Sequence, residues 1–330
     1  MALPSSGQIT LNQVNVELGL SGTAQIGMND SAVRTLFGIA SGEIEMSDGY
    51  GKANEFTLTI SSSTQEANLA TLASSAGWNG SSALICNVNS NIYVWSDNIS
   101  NAGLLLTGNF PGGVTVNNSG FIMGRGGQSG GGQSGSTQVG YPAGDAIEIS
   151  TSSSVTINNN SGAYIGGGGG GAGGDWGGGG AGGGGGGENG EYDYAYGGRG
   201  GTIGQVGANG NDPYNRGDPV AYGGGAGGGG GGGDNTGYIR RGAGGGRIFP
   251  GTGGAGGGGN NAGGNGGAAG AAGTSRSTFA GPGGGGWGAA GGNKSGTGTP
   301  NGNGGAGGKA IEDNGSSYTL SNSGTIYGAT

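Results

Sequence analysis

The chain has 330 residues, of which 98 are glycine, with 31% apolar and 9% charged side chains, no histidine and a formal net charge of −8. The lack of histidine removes His-based triads, most zinc sites and the commonest general base, and the acidic balance argues against nucleic acid as a partner. A single cysteine, Cys86, rules out a disulfide framework, and its Ala-Leu-Ile-Cys setting predicts a buried thiol.

The first seven residues, MALPSSG, carry neither a basic flank nor an apolar segment. No run approaches the roughly 18 apolar residues that span a bilayer. The expectation is a protein made in the cytoplasm without an export signal and without membrane insertion. Up to residue 55 a short element occurs three times, at Ser6 to Asn12, Ser21 to Asp30 and Ser41 to Asp48, each ending in a helix-capping residue type. The first two copies run into helical patterns, Gln13 to Leu18 stopped by Gly19 and Ser31 to Phe37 stopped by Gly38, which predicts a compact docking module over 1–55.

Residues 56–112 read as a small α+β domain. The pattern predicts strands at Phe56 to Ile60, Leu84 to Val88 and Asn91 to Trp95, a helix from Thr64 to Ala76, and a core that includes Trp78 and Trp95. A second repeat follows: Val114 to Gly124 returns as Val155 to Gly166 and again as Tyr318 to Gly328. Two copies are preceded by a related string, Gly144 to Ile147 and Gly308 to Ile311, so the repeat reads as a hairpin-like rung that the chain leaves and rejoins.

Between the last two rungs, 70 of the 143 residues from Gly166 to Gly308 are glycine. Glycine has no side chain to bury and loses more backbone freedom on ordering than any other residue, about 1 to 2 kcal/mol each. Hydrophobic packing therefore cannot organise this stretch. Collagen is excluded by the uninterrupted glycine runs and by only 8 prolines. What remains is a bundle of extended three-residue helices of the polyproline-II type, bonded backbone to backbone, with rods mainly within 166–308. The fold class expected is thus mixed: small N-terminal α+β modules, then a β-rung platform over 113–330 bearing a polyglycine-II helix bundle.

The glycine region holds ten of the chain's 22 aromatics, and nearly all of them sit in the breaks between its glycine runs. Rigid aromatic and arginine side chains are the material of recognition surfaces. The candidate receptor contacts are Trp176, Tyr192, Tyr194, Tyr196, Tyr214, Tyr222, Tyr238, Arg240, Arg241, Phe249 and Phe279. For Trp176 and Trp287, embedded in glycine, filling a groove between rods is an equal alternative. Arg216-Gly217-Asp218 matches an integrin tripeptide by composition alone, Glu188, Glu191 and Asp193 read as a solvated turn rather than a glycosidase pair, and no phosphate loop, cofactor or metal site is supported, so no enzyme is expected.

The Asn-Asn-Ser-Gly rungs at 117–120 and 159–162, followed by the runs from Gly166 onward, resemble bacteriophage tail-fibre adhesins whose tip is a glycine-rich sandwich of polyglycine-II helices, as in the distal adhesins of some T-even-like phages. Ser41 to Lys52 is similar to the start of many phage tail proteins. The resemblance implies a virion protein attached through residues 1–55 to other tail or fibre proteins, with distal loops that contact a host outer-membrane protein or surface glycan. The alternatives are a purely structural fibre segment and an ice-binding polyglycine-II face.

Overall fold

The computed structural model describes residues 3–52, 54–80, 82–127, 139–173, 232–233, 239–240, 264–276, 282–295 and 302–330. Residues 3–52 carry two short helices, α1 (Leu11–Glu17) and α2 (Ser31–Phe37), and a 3-10 turn at Met46–Gly49. Thr10 and Gln13 form a capping box at the start of α1, which therefore begins two residues before the expected Gln13. Gly38, with φ of 77°, ends α2 in the left-handed conformation that glycine adopts without strain. Leu3, Ile9, Val14, Val33, Leu36 and Phe37 form a small separate core. Backbone bonds from Leu3 to Lys52 and from Gly51 to Pro4 tie the two ends of the module together.

Beyond it the chain winds as a stack of coils. The first coil holds β1 (Glu55–Ile60) and β2 (Thr64–Gln65); the second holds β3 (Ala67–Asn68), α3 (Leu69–Ser75), β4 (Ala83–Val88) and β5 (Tyr93–Trp95). The third holds β6 (Leu104–Thr107), β7 (Val114–Asn118) and β8 (Phe121–Met123), and the fourth β9 (Ile147–Ser150), β10 (Val155–Asn159) and β11 (Tyr164–Gly166). After a two-stranded antiparallel piece, β12 (Gly232–Gly233) with β13 (Ile239–Arg240), a last coil adds β14 (Ile311–Glu312), β15 (Tyr318–Asn322) and β16 (Thr325–Tyr327). Corresponding strands pair in parallel into three sheets: A (β1-β4-β7-β10-β15), B (β2-β5-β8-β11-β16) and C (β3-β6-β9-β14).

The repeated rungs are therefore not hairpins. Each copy turns a corner at Ser119-Gly120 or its equivalent and passes from sheet A to sheet B, while like residues of successive copies lie in register, Val155 on Val114 and Asn159 on Asn118. Alternation of period two is satisfied equally by either pairing; the parallel form wins because it stacks identical side chains. β1 and β4 belong to the same sheet as the later rungs, so sheet A runs through residue 112, where the sequence reading sets a boundary. The expected helix at Thr64 starts only at Leu69, because 64–65 and 67–68 join sheets B and C; Asn68 caps it by accepting from the Thr71 N–H at 3.0 Å.

One hydrophobic core fills the stack, with Leu84, Val116 and Ile157 from sheet A, Val94, Ile122 and Ile165 from sheet B, and Leu104, Ile147 and Ile311 from sheet C. Each such side chain contributes about 1.5–3 kcal/mol relative to exposure. Trp78 stacks on Phe110 inside this core, whereas Trp95 lies half-buried outside it. Cys86 is fully buried, and burial pushes its thiol up to about 12. A folded-state pKa raised above the ordinary 9.0 gives stability that is lost as pH climbs. Stability should fall between about pH 9 and 12, and a thiol reagent at pH 8 should label Cys86 only on unfolding; rapid labelling of the native protein would contradict this.

Where sheet A meets sheet B, the core becomes polar. Asn118 Nδ2 donates to Asn159 Oδ1 at 2.9 Å, and Asn159 Nδ2 donates to Asn322 Oδ1 at 2.8 Å and to the Thr325 carbonyl at 3.2 Å. Asn159 and Asn118 are almost fully buried, so Asn159→Ala would strip the buried Asn118 amide of one acceptor and the Thr325 carbonyl of one donor, while the exposed Asn322 turns to water. The expected cost is about 2 kcal/mol, measurable by denaturant unfolding, and a loss below about 0.5 kcal/mol would contradict the ladder's role.

Candidate functional site

The glycine segments leave the stack where sheet B gives way to sheet C. In the second coil that corner is short, from Trp95 to Leu104; after β8 it lengthens, and after β11 it expands to everything between Gly166 and Ile311. The described pieces, 124–127, 139–146, 166–173, 264–276, 282–292 and 302–310, lie side by side and bond through their backbones with a period of three. Gly124 and Gly127 donate to Gly166 and Gly169; Gly168 and Gly171 donate to Gly144 and Tyr141; Gly170 and Gly173 donate to Ala289 and Gly292. The carbonyls of Gly168 and Gly171 accept in turn from Gly308 and Gly305. The segment 166–173 thus serves four neighbours, each at every third residue.

At the positions that face a neighbouring segment's backbone, that spacing admits no side chain. A methyl group on Gly168 would overlap the carbonyl of Arg125, one on Gly170 that of Gly305, and one on Gly286 that of Ala268. The neighbours are backbone, so none can rotate aside. Composition here is a packing requirement, since only glycine lets backbones approach this closely.

The sheaf is fixed to the stack by an aromatic patch. On the outer face of sheet B, Tyr93, Phe121 and Tyr164 stack from coil to coil with ring centroids 5.0 Å apart at each step. Beside them Trp287, 5% exposed, packs with Phe121 and Met123 and with the half-buried Trp95, Ala269 and Tyr327. Trp287 therefore fills the joint between sheaf and stack, where sequence reasoning left it open between filler and recognition residue. Near the point of return, the Lys309 N–H donates to Asp145 Oδ1 at 2.6 Å and the Lys309 ammonium pairs with Glu312 at 2.6 Å. Burial raises the Asp145 pKa, a shift that the Lys309 N–H opposes.

Of the candidate receptor residues, Trp176, Tyr192, Tyr194, Tyr196, Tyr214, Tyr222, Tyr238, Arg241, Phe249 and Phe279 lie outside the described residues. Arg240 is placed by its backbone alone, paired antiparallel with Gly232. The exposed large apolar side chains among the described residues are Leu11, Val16, Leu20 and Tyr50 in the N-terminal module, and Val139 and Tyr141 beside the glycine segments. Sequence reasoning had not singled these out: Leu11 and Val16 sit in a helix too short to reveal which side it faces, and Leu20, Tyr50, Val139 and Tyr141 lie outside helices and strands.

The described residues thus form a parallel β stack that carries a sheaf of backbone-bonded glycine segments. Residues 55–227 match the family of the phage tail fibre adhesin Gp38, a little over half of the chain, and the protein belongs to that family. It is a bacteriophage tail-fibre adhesin. Among solved structures it is similar to the gp37-gp38 adhesin tip complex of the bacteriophage S16 long tail fiber, with 22% identity, coverage of 91% of each chain and a TM-score of 0.48. No curated protein matches the chain significantly.

Proposed function

We propose that this adhesin attaches the virion to a host-surface protein or glycan through the aromatic breaks between its glycine runs, and that it does so without catalysis. In this reading the glycine segments, mainly within 166–308, form one polyglycine-II bundle, and the bundle is a frame for Tyr192, Tyr214, Tyr238 and the other break residues. The observation that carries it is the three-residue backbone lattice of the described segments, closed by the bond from Gly308 to Gly168. A lattice anchored at both ends spares the intervening breaks much of the ordering cost of binding.

Residues 1–55 are the docking module of this reading and 56–112 a spacer within the β stack. Leu11, Val16, Leu20 and Tyr50, all exposed, supply the apolar surface that a partner protein of the fibre would cover. Purified full-length protein should bind host cells and compete with phage adsorption, and Tyr192→Ala/Tyr214→Ala/Tyr238→Ala should lose that binding with its fold unchanged. Undiminished binding by the triple variant would instead assign the glycine region a purely structural role.

A further inference from the structure

The outward face of sheet A carries two in-register columns that are polar but for Ile85. In register across the five strands, one column reads Thr57, Ile85, Thr115, Thr156 and Thr319, and the next reads Thr59, Asn87, Asn117, Asn158 and Ser321. Strand spacing of about 4.8 Å makes each column about 19 Å long. The amides are locked along the stack: Asn117 Nδ2 donates to Asn87 Oδ1 at 2.9 Å, and Asn158 Nδ2 donates to Asn117 Oδ1 at 2.8 Å. An amide has two N–H donors and an oxygen with two lone pairs, so Asn117 keeps one of each for a ligand. At the corner toward sheet B the array opens into a groove of about 880 Å³ lined by Thr59, Asn87, Ser90, Asn117, Ser119 and Asn160, with no charged side chain on its walls. That volume is within the range of small-ligand sites.

The chemistry of this face selects its occupant. The columns hold no lysine or arginine, and the chain carries a net charge of −8, so an anionic ligand gains nothing there. They hold no aromatic or arginine anchor of the kind enriched at the centres of protein interfaces. What fits is a neutral chain rich in hydroxyls, each able to donate and accept as the Thr and Asn groups do, against an array whose geometry is set before binding.

We propose that the Thr/Asn face of sheet A, with its corner groove, is a binding site for a neutral polysaccharide of the bacterial surface. This site is separate from the loop-borne contact above and does not depend on it. The test uses full-length protein on an array of neutral and acidic bacterial surface polysaccharides. At least one neutral polysaccharide should be retained. Thr115→Val/Thr156→Val, which keeps the β-branched shape and removes two hydroxyls, should weaken retention tenfold or more, and Thr156→Arg should block it, with circular dichroism and melting unchanged. Thr115→Ser/Thr156→Ser and the Tyr192/Tyr214/Tyr238 alanine variant should both retain it. Retention of acidic polysaccharides alone, of none, or of neutral ones undiminished by both the valine and arginine variants would overturn the proposal. So would loss confined to the tyrosine variant, which would move the glycan to the loops.

Discussion

Gly168→Ala should unlock the glycine sheaf while the β stack stays folded, removing hydrogen-exchange protection from the amides of Gly144, Gly171, Gly305 and Gly308. The added methyl would fall on the Arg125 carbonyl, so 124–127 and 166–173 must separate. Separation strains the Gly168-to-Gly144 and Gly308-to-Gly168 bonds, at 2.9 and 2.8 Å, and through them the segments on either side. Overpacking a well-filled interior costs about 1–3 kcal/mol, and more where the obstacle is backbone; a loss of at least 3 kcal/mol in the sheaf is expected. Gly27→Ala is the control, since its methyl would meet only the Asp30 carboxylate at 3.5 Å, an ordinary contact. Equal protection in the two variants would show that the sheaf tolerates side chains and that its glycine content has another origin.

Trp287→Ala should detach the sheaf from the stack. The indole is buried between the two, against Phe121 and Met123, and a methyl on Gly166 would strike its ring. Truncating a buried tryptophan costs about 3–5 kcal/mol. Here the loss should fall on the joint, because Trp287 belongs to the outer cluster rather than to the core inside the coils. Denaturant unfolding should become biphasic, with the sheaf released before the stack. Trp287→Phe, which keeps an aromatic ring in the joint, should be intermediate. A single transition at the native midpoint would refute the anchoring role.

Much of this was legible in the residues. The three copies of the Asn-Ser-Gly rung, the excursion between the last two, the buried Cys86 and the limits of α2 all stand in the structure as the sequence implies. The parallel winding was not legible, because a strand with one buried face has the same alternation in a hairpin and in a coil. The first two coils escaped notice for a different reason. Phe56 to Ile60 and Leu84 to Val88 lack the Asn-Asn-Ser-Gly signature, and α3 interrupts the second coil, so they read as a separate unit although their inward positions continue the same core. Trp287 was ambiguous since its neighbours in sequence are glycine and alanine, and only the return of the chain to sheet B brings Phe121 and Met123 against it. The receptor candidates rest on the aromatic and arginine content of the breaks between glycine runs, and none of them is carried over from the family.

The bond between Gly308 and Gly168 means that a segment of some 140 residues begins and ends at nearly one point in space. A chain whose ends are pinned at one spot encloses its contents in a loop, so the coils below and the last coil beyond meet the same junction, and a change in the length of the intervening sequence need not move either end.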